Sequence, residues 1–143
     1  VTKTDDSAPV KDLMIVDNEE LVRHSVRRLL RDEGFALIHE ASNGREALDL
    51  LKALAARDEL PALIVTDCSM PDMDGIALTR AVRAEPTLSA IPIIVCSGDD
   101  ANAKPTSELG VPFFYKGHDN PSALKLLARA LTKTEESESD VPK

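Results

Sequence analysis

Five short apolar runs set what this chain can fold into: Leu13 to Val16, Ala36 to Ile38, Ala62 to Val65, Ile91 to Cys96 and Val111 to Tyr115. Each has the length of a strand and is rich in Val, Ile or Phe. Between most of them the apolar residues recur at helical spacing. Val22, Val26, Leu29 and Leu30 share one helix face, and Ala47, Leu48, Leu51, Leu54 and Ala55 share another, opened by Asn43 as a cap. Leu78, Ala81 and Val82 form a shorter third face. Leu124, Leu127, Ala128 and Leu131 form the last, with Asn120 as its cap and Pro121 in its first turn. Strands alternating with amphipathic helices imply a parallel sheet covered on both faces by right-handed crossovers. The expected fold is therefore α/β, a doubly wound five-stranded parallel sheet with helices on both faces.

The one weak crossover is GDDANAKPTSELG, from Gly98 to Gly110, with Pro105 in its middle and little apolar surface. Proline removes an amide donor and clashes with the preceding turn. The segment from Asp99 to Leu109 is therefore expected to be irregular, with the fourth helix weak. Residues 1–11 and 133–143 are polar or acidic and aperiodic and read as disordered tails, leaving 12–132 as one domain.

Composition narrows the function. With 17 basic against 25 acidic residues and a net charge of −8, no direct nucleic-acid contact is expected, because phosphate backbones are held by clustered Lys and Arg. Aromatic residues make up only 3% of the 143 residues, so the core must come from aliphatic side chains. Two cysteines, Cys68 and Cys96, are too few for a disulfide framework and fit a reducing cytoplasm. No stretch has the length of a membrane span and the start lacks a secretory signal, so a soluble protein without membrane contact is expected.

In doubly wound sheets ligands gather outside the carboxyl ends of the strands. Here those ends carry Asp17, Asn18 and Glu19 after the first strand, Thr66 and Asp67 after the third, Ser97 and Gly98 after the fourth, and Lys116 and Gly117 after the fifth. Oxygen ligands with concentrated negative charge suit Mg²⁺, which typically takes one or two carboxylates plus waters and phosphate oxygens. A carboxylate can attack phosphorus, while a hydroxyl and an ammonium hold the charge that spreads over the equatorial oxygens. Asp67 is the attacking group on this reading.

The segments LMIVDNEELVRHSVRRLL, IVTDCSMPDMDGIALTRAVR, IPIIVCSGDD and FFYKG, in that order and at suitable distances, make the chain resemble the receiver domains of two-component response regulators. DCSMPDMDG, from Asp67 to Gly75, is the most specific of them. The resemblance implies a flavodoxin-like sheet of strand order 2-1-3-4-5. It implies that Asp67 is the phosphoacceptor, fed by a histidine kinase or histidine phosphotransfer protein, and that a downstream protein target reads the outcome. It implies a Mg²⁺ site formed by Asp17, Asn18, Asp67 and the backbone carbonyl of Ser69, with Ser97 and Lys116 contacting the phosphoryl group. Phe113 falls where the family places a switch aromatic, although an ordinary core ring fits it equally well. Ser69 and Asp99 stand where dephosphorylation is tuned, and Asp72 and Asp74 where the loop is shaped. Such a domain is no enzyme beyond its own phosphorylation and dephosphorylation. With no output-domain pattern after it, a stand-alone regulator or an excised receiver is expected, of open oligomeric state.

Three departures keep an alternative alive. Asn18 replaces a second acid, which weakens metal binding unless Glu19 compensates, and Glu19 more simply favours the positive end of the first helix. Gly117 replaces a common proline, and the fourth crossover is short. A receiver that had lost its switch, a phosphorylation-independent interaction module, would drift at such places. A haloacid-dehalogenase-like phosphatase needs an acid where Ser69 stands, and a flavodoxin needs a hydroxyl- and glycine-rich loop where DNEEL stands. His24, His39 and His118 lack metal-spaced partners and read as surface residues.

Overall fold

The computed structural model describes residues 11–132. The tails expected at 1–11 and 133–143 lie outside it, except that Lys11 opens the first strand. The elements are β1 (Lys11–Val16), α1 (Glu20–Arg31), β2 (Phe35–Ala41), α2 (Gly44–Ala56), β3 (Leu63–Asp67), α3 (Gly75–Ala84), β4 (Ile93–Ser97), α4 (Ala103–Glu108), β5 (Phe113–Tyr115) and α5 (Pro121–Leu131). All strand pairs are parallel, in the order β2-β1-β3-β4-β5. The order reverses between β1 and β3, and that switch point is where ligands gather in this architecture.

Side-chain alternation divides the core between the two faces of the sheet. Met14, Val16, Ile64 and Val95 point to the face covered by Leu51 and Leu54 of α2 and Leu78 and Val82 of α3. Leu13, Ile15, Leu63, Val65, Ile94 and Phe114 point to the other, under Leu30 of α1 and Leu124 and Ala128 of α5. Burial on both faces explains why the strand sequences read as continuous apolar runs. The helix caps fall where the sequence placed them: the side chains of Asn43 and Asn120 accept from the backbone N–H groups of Glu46 and Ser122, both at 2.8 Å.

Three expectations need correction. β2 extends through His39, Glu40 and Ala41, whose pairing with Met14, Ile15 and Val16 holds polar residues in the ladder that the apolar pattern passes over. His39 is accordingly no surface residue. It is half-buried, and its Nε2 is shut off from solvent without a hydrogen-bond partner.

The Asp99 to Leu109 segment is not irregular. Asp100–Asn102 forms a 3₁₀ turn that runs into α4. Pro105 is the third residue of α4, where the amide it lacks has no partner within the helix anyway. The helix is nonetheless short, and Thr106 is its only buried residue.

The turn from β3 into α3 fixes the loop after Asp67. Asp72 adopts φ 67°, a left-handed conformation that Asp tolerates better than most residues, and the Met73 N–H closes on the Pro71 carbonyl at 2.7 Å. Asp74 caps α3 by accepting from Ala77 N–H at 2.8 Å. Gly75 packs so closely that a Cβ there would lie 2.3 Å from the Asp67 carbonyl oxygen. In an open helix, Ala in place of Gly would gain about 1 kcal/mol. Here the contact is with backbone, and Gly75→Ala is expected instead to lower stability by about 1–3 kcal/mol, the usual cost of overpacking. Urea denaturation checks this; a midpoint at or above that of the parent would show that the loop yields freely.

Candidate functional site

Sheet register sets two acids side by side and a lysine two residues beyond them. Val16 pairs with Thr66, so Asp17 follows beside Asp67. Asp67 pairs with Cys96, and Ser97 pairs with Tyr115, so Lys116 emerges just beyond the end of β4. Backbone bonds hold these ends: Asp17 N–H donates to the Ala41 carbonyl at 3.0 Å, and Lys116 N–H to the Ser97 carbonyl at 2.8 Å.

The Lys116 side chain crosses the end of β4 to reach both acids. Its Nζ lies 2.7 Å from Asp67 Oδ1 and 3.5 Å from Asp17 Oδ2. The two carboxylates are largely buried, with side-chain exposures of 11% for Asp67 and 6% for Asp17 against 33% for Lys116. Burial holds the Asp67 carboxyl above its ordinary range despite the ammonium beside it, and the charge of Asp17 adds to the effect. Burial alone would lower Lys116, but its hydrogen bond and charge pairing with Asp67, helped by Asp17, outweigh that and raise it. On the α1/α5 side of the ammonium lies an apolar cleft of about 500 Å³, walled by Val22, Val26, Phe114 and Leu124.

The remaining residues singled out from the sequence surround this centre at different depths. Ser97 is buried, and its Oγ accepts from Asp99 N–H at 3.0 Å and from Asn102 Nδ2 at 2.9 Å. The Asp99 carboxylate accepts from Ala101 N–H at 3.0 Å and so caps the 3₁₀ turn. Asn18 and Ser69 are exposed at the rim. Glu19 precedes α1, with its N–H on Asp17 Oδ1 at 2.9 Å and no capping bond from its own side chain. Phe113 packs partly buried against the α2/α3 core, its ring centroid 6.3 Å from that of Tyr115.

Two residues around the site were not foreseen. Arg23 donates to the Asp17 backbone carbonyl at 2.6 Å and to Glu40 Oε1 at 2.8 Å, tying α1 to the ends of β1 and β2. The extension of β2 that carries Glu40 had no apolar signal, so this pairing was invisible in the sequence. Asn102 was hidden because its segment lacked any helical pattern.

The donor set fits a divalent cation. Asp67 and Asp17 already direct oxygens at one cationic atom, the Lys116 Nζ, so the two carboxylates converge on a common point. Among the described residues no group of three or more His, Cys, Asp or Glu is placed to hold a metal. A cation here would therefore rely on two carboxylates completed by neutral oxygens and water, which is within the habit of Mg²⁺.

The five-stranded sheet thus gathers two acids and a lysine outside the carboxyl ends of its strands. The sequence model of the response regulator receiver domain matches residues 13–111, and the chain belongs to that family, the receiver domains of two-component systems. It is 28% identical to response regulator Rre1 of Synechocystis over 130 residues, covering 90% of this chain and 54% of the relative. It is 31% identical to the transcriptional regulatory protein SrrA of Staphylococcus aureus over 126 residues, covering 88% and 49%. The chain thus spans about half the length of these relatives. Among solved structures, the signal receiver domain of a signal transduction histidine kinase from Syntrophus aciditrophicus superposes with a TM-score of 0.75 at 24% identity, covering 94% of this chain and 98% of that one. No helix among the described residues is long and apolar enough to cross a membrane.

Both cysteines flank the acids yet are built to be inert. Cys68 and Cys96 are buried free thiols, and burial pushes them up to about 11 and about 12, helped at Cys68 by the charges of Asp74 and Asp67 and opposed at Cys96 by the Lys116 ammonium. Only the thiolate attacks. At pH 8 a disulfide reagent is therefore expected to modify neither thiol in the folded protein and both after denaturation. Fast modification of one thiol without denaturant would show a reactive cysteine next to the site.

Proposed function

We propose that the protein is a phosphoacceptor switch that takes a phosphoryl group from the phosphohistidine of a histidine kinase, or of a histidine phosphotransfer protein, onto Asp67 in the cytoplasm. The observation that carries this reading is the Asp67 carboxylate, largely buried and held 2.7 Å from Lys116. An Asp67 oxygen attacks phosphorus, the P–N bond breaks, and the imidazole leaves with the bond's electron pair and takes up a proton. The ammonium of Lys116 then faces the phosphoryl oxygens instead of a free carboxylate, and the Ser97 hydroxyl is the second donor for them. Asp17, Asp67, Asn18 and the Ser69 carbonyl would hold Mg²⁺, which would supply charge neutralisation for the incoming phosphoryl oxygens.

Phe113 is assigned as the switch aromatic whose rotamer follows activation, and Ser69 and Asp99 as the positions that set how long the acyl phosphate survives. The capping bond of Asp99 gives it a route to act through the shape of the loop as well as by orienting water. The output is a changed contact with a downstream protein. A phosphorylation-independent module is the second reading, favoured by Asn18, which leaves only two carboxylates converging.

Intact mass after exposure to acetyl phosphate and Mg²⁺ separates the two readings. The parent is expected to gain one phosphoryl group and Asp67→Asn none; a parent that gains nothing supports the module, and labelled Asp67→Asn shows that another residue is the acceptor.

Asn18→Asp is expected to tighten Mg²⁺ binding by about tenfold or more. An added charge ~4 Å from the ion, at an effective dielectric of about 20, is worth several kcal/mol before desolvation. Titration of Mg²⁺ into both proteins measures it. Equal affinity would remove residue 18 from the metal site.

A further inference from the structure

The hydroxyl of Ser97 is fully occupied. It accepts from Asp99 N–H at 3.0 Å and Asn102 Nδ2 at 2.9 Å, and its proton faces the Asp99 carbonyl at 3.3 Å. A serine hydroxyl has one proton and two lone pairs, so nothing is left to give a phosphoryl oxygen. It can serve Asp67 only by giving up part of this arrangement.

Asn102 connects the arrangement to α4. It ends the 3₁₀ turn, its side chain holds Ser97, and its backbone carbonyl accepts the Thr106 hydroxyl at 2.7 Å. Thr106 is fully buried and is the only buried residue of α4. A helix of six residues with one buried side chain has little else to hold it. The hydrogen-bonded chain from Ser97 Oγ through Asn102 to Thr106 therefore joins the end of β4 to the first turn of α4.

We propose that Asn102 is a positioning residue: it holds the Ser97 hydroxyl away from Asp67, and when Ser97 turns to a phosphoryl group the freed Asn102 loosens α4. This rests on the reading of Asp67 as phosphoacceptor. Asn102 supplies the side-chain amide of this link, while Asp99, which also bonds Ser97 Oγ and whose carbonyl accepts Asn102 N–H at 3.1 Å, joins the same turn through its backbone. Thr106 keeps its bond to the Asn102 carbonyl only while the 3₁₀ turn holds its shape, which is why losing the side-chain contact reaches the helix.

Amide hydrogen exchange of the whole protein, without phosphodonor, tests the structural half. Leu109 and Gly110 donate to the carbonyls of Thr106 and Ser107 at 3.0 and 2.9 Å, so they report on the end of α4. Asn102→Ala and Ser97→Ala are each expected to reduce their protection by about fivefold, the effect of one hydrogen bond on a local opening equilibrium. The double variant should lose no more than either single one. Unchanged protection, or losses that multiply in the double variant, would overturn the coupling.

Acetyl phosphate with Mg²⁺ tests the chemical half. Asn102→Ala is expected to speed labelling by about fivefold, and to leave it unchanged in a Ser97→Ala background. A helix merely loosened by the substitution would alter the rate in both backgrounds, and that result, or slower labelling of Asn102→Ala, would overturn the proposal. If the parent is not labelled at all, the phosphoacceptor reading fails, and with it the release step, while the exchange result still decides whether Asn102 couples Ser97 to α4.

Discussion

The ion pair between Lys116 and the two carboxylates is the interaction on which the rest of this molecule turns. Two buried acids side by side repel, and each loses solvation on folding. One ammonium, reaching over β4 from the last strand, makes their juxtaposition tolerable. The pair can form only in the register that sets Asp17 beside Asp67 and lets β5 run on past them before Lys116 turns back, so sheet register and site electrostatics are a single constraint. The balance remains negative by one charge. A site with two acids and one cation has both a use for a second cation and an acid whose ionised form is held uneasily, and perturbed groups of that kind collect where chemistry is done.

The backbone around this centre is shaped to keep it still. Gly75 lets α3 begin against the carbonyl of Asp67 itself, and Asp74 and Asp72 supply the cap and the left-handed turn that bring the chain back. Gly44 does the same from α2: its N–H donates to the Met73 carbonyl at 3.0 Å, and a Cβ there would lie 2.5 Å from that oxygen. On the other side, Gly117 adopts φ 77°, which proline cannot reach. The departure from the family's usual residue after the lysine is thus a different turn, and it still delivers Lys116 to both carboxylates.

Much of this was legible in the sequence because the fold is periodic and the site lies where the periods stop. Asp17, Asp67, Ser97 and Lys116 each follow an apolar run, and a doubly wound sheet must bring such positions together at one edge. What escaped has a common physical cause. His39 and Glu40 are polar residues held in β2 by pairing alone, so hydrophobic pattern could not find them, and Arg23 was lost with its partner Glu40. The helix α4 and its link Asn102 rest on side-chain hydrogen bonds and a proline in the first turn, where apolar periodicity carries no information. The polar residues around the site are equally silent about depth: Asn18 follows Asp17 directly, yet one is exposed and the other buried.

The account stands on Asp67 carrying the phosphoryl group as a mixed anhydride on its side chain. Reduction with borohydride after treatment with acetyl phosphate and Mg²⁺ converts such an aspartyl phosphate to homoserine, and sequencing of the tryptic peptides locates it. The expected result is homoserine at position 67 and nowhere else, dependent on both the phosphodonor and Mg²⁺. Homoserine at another aspartate, or a phosphoryl group that survives borohydride because it sits on a hydroxyl or a histidine, would contradict the account.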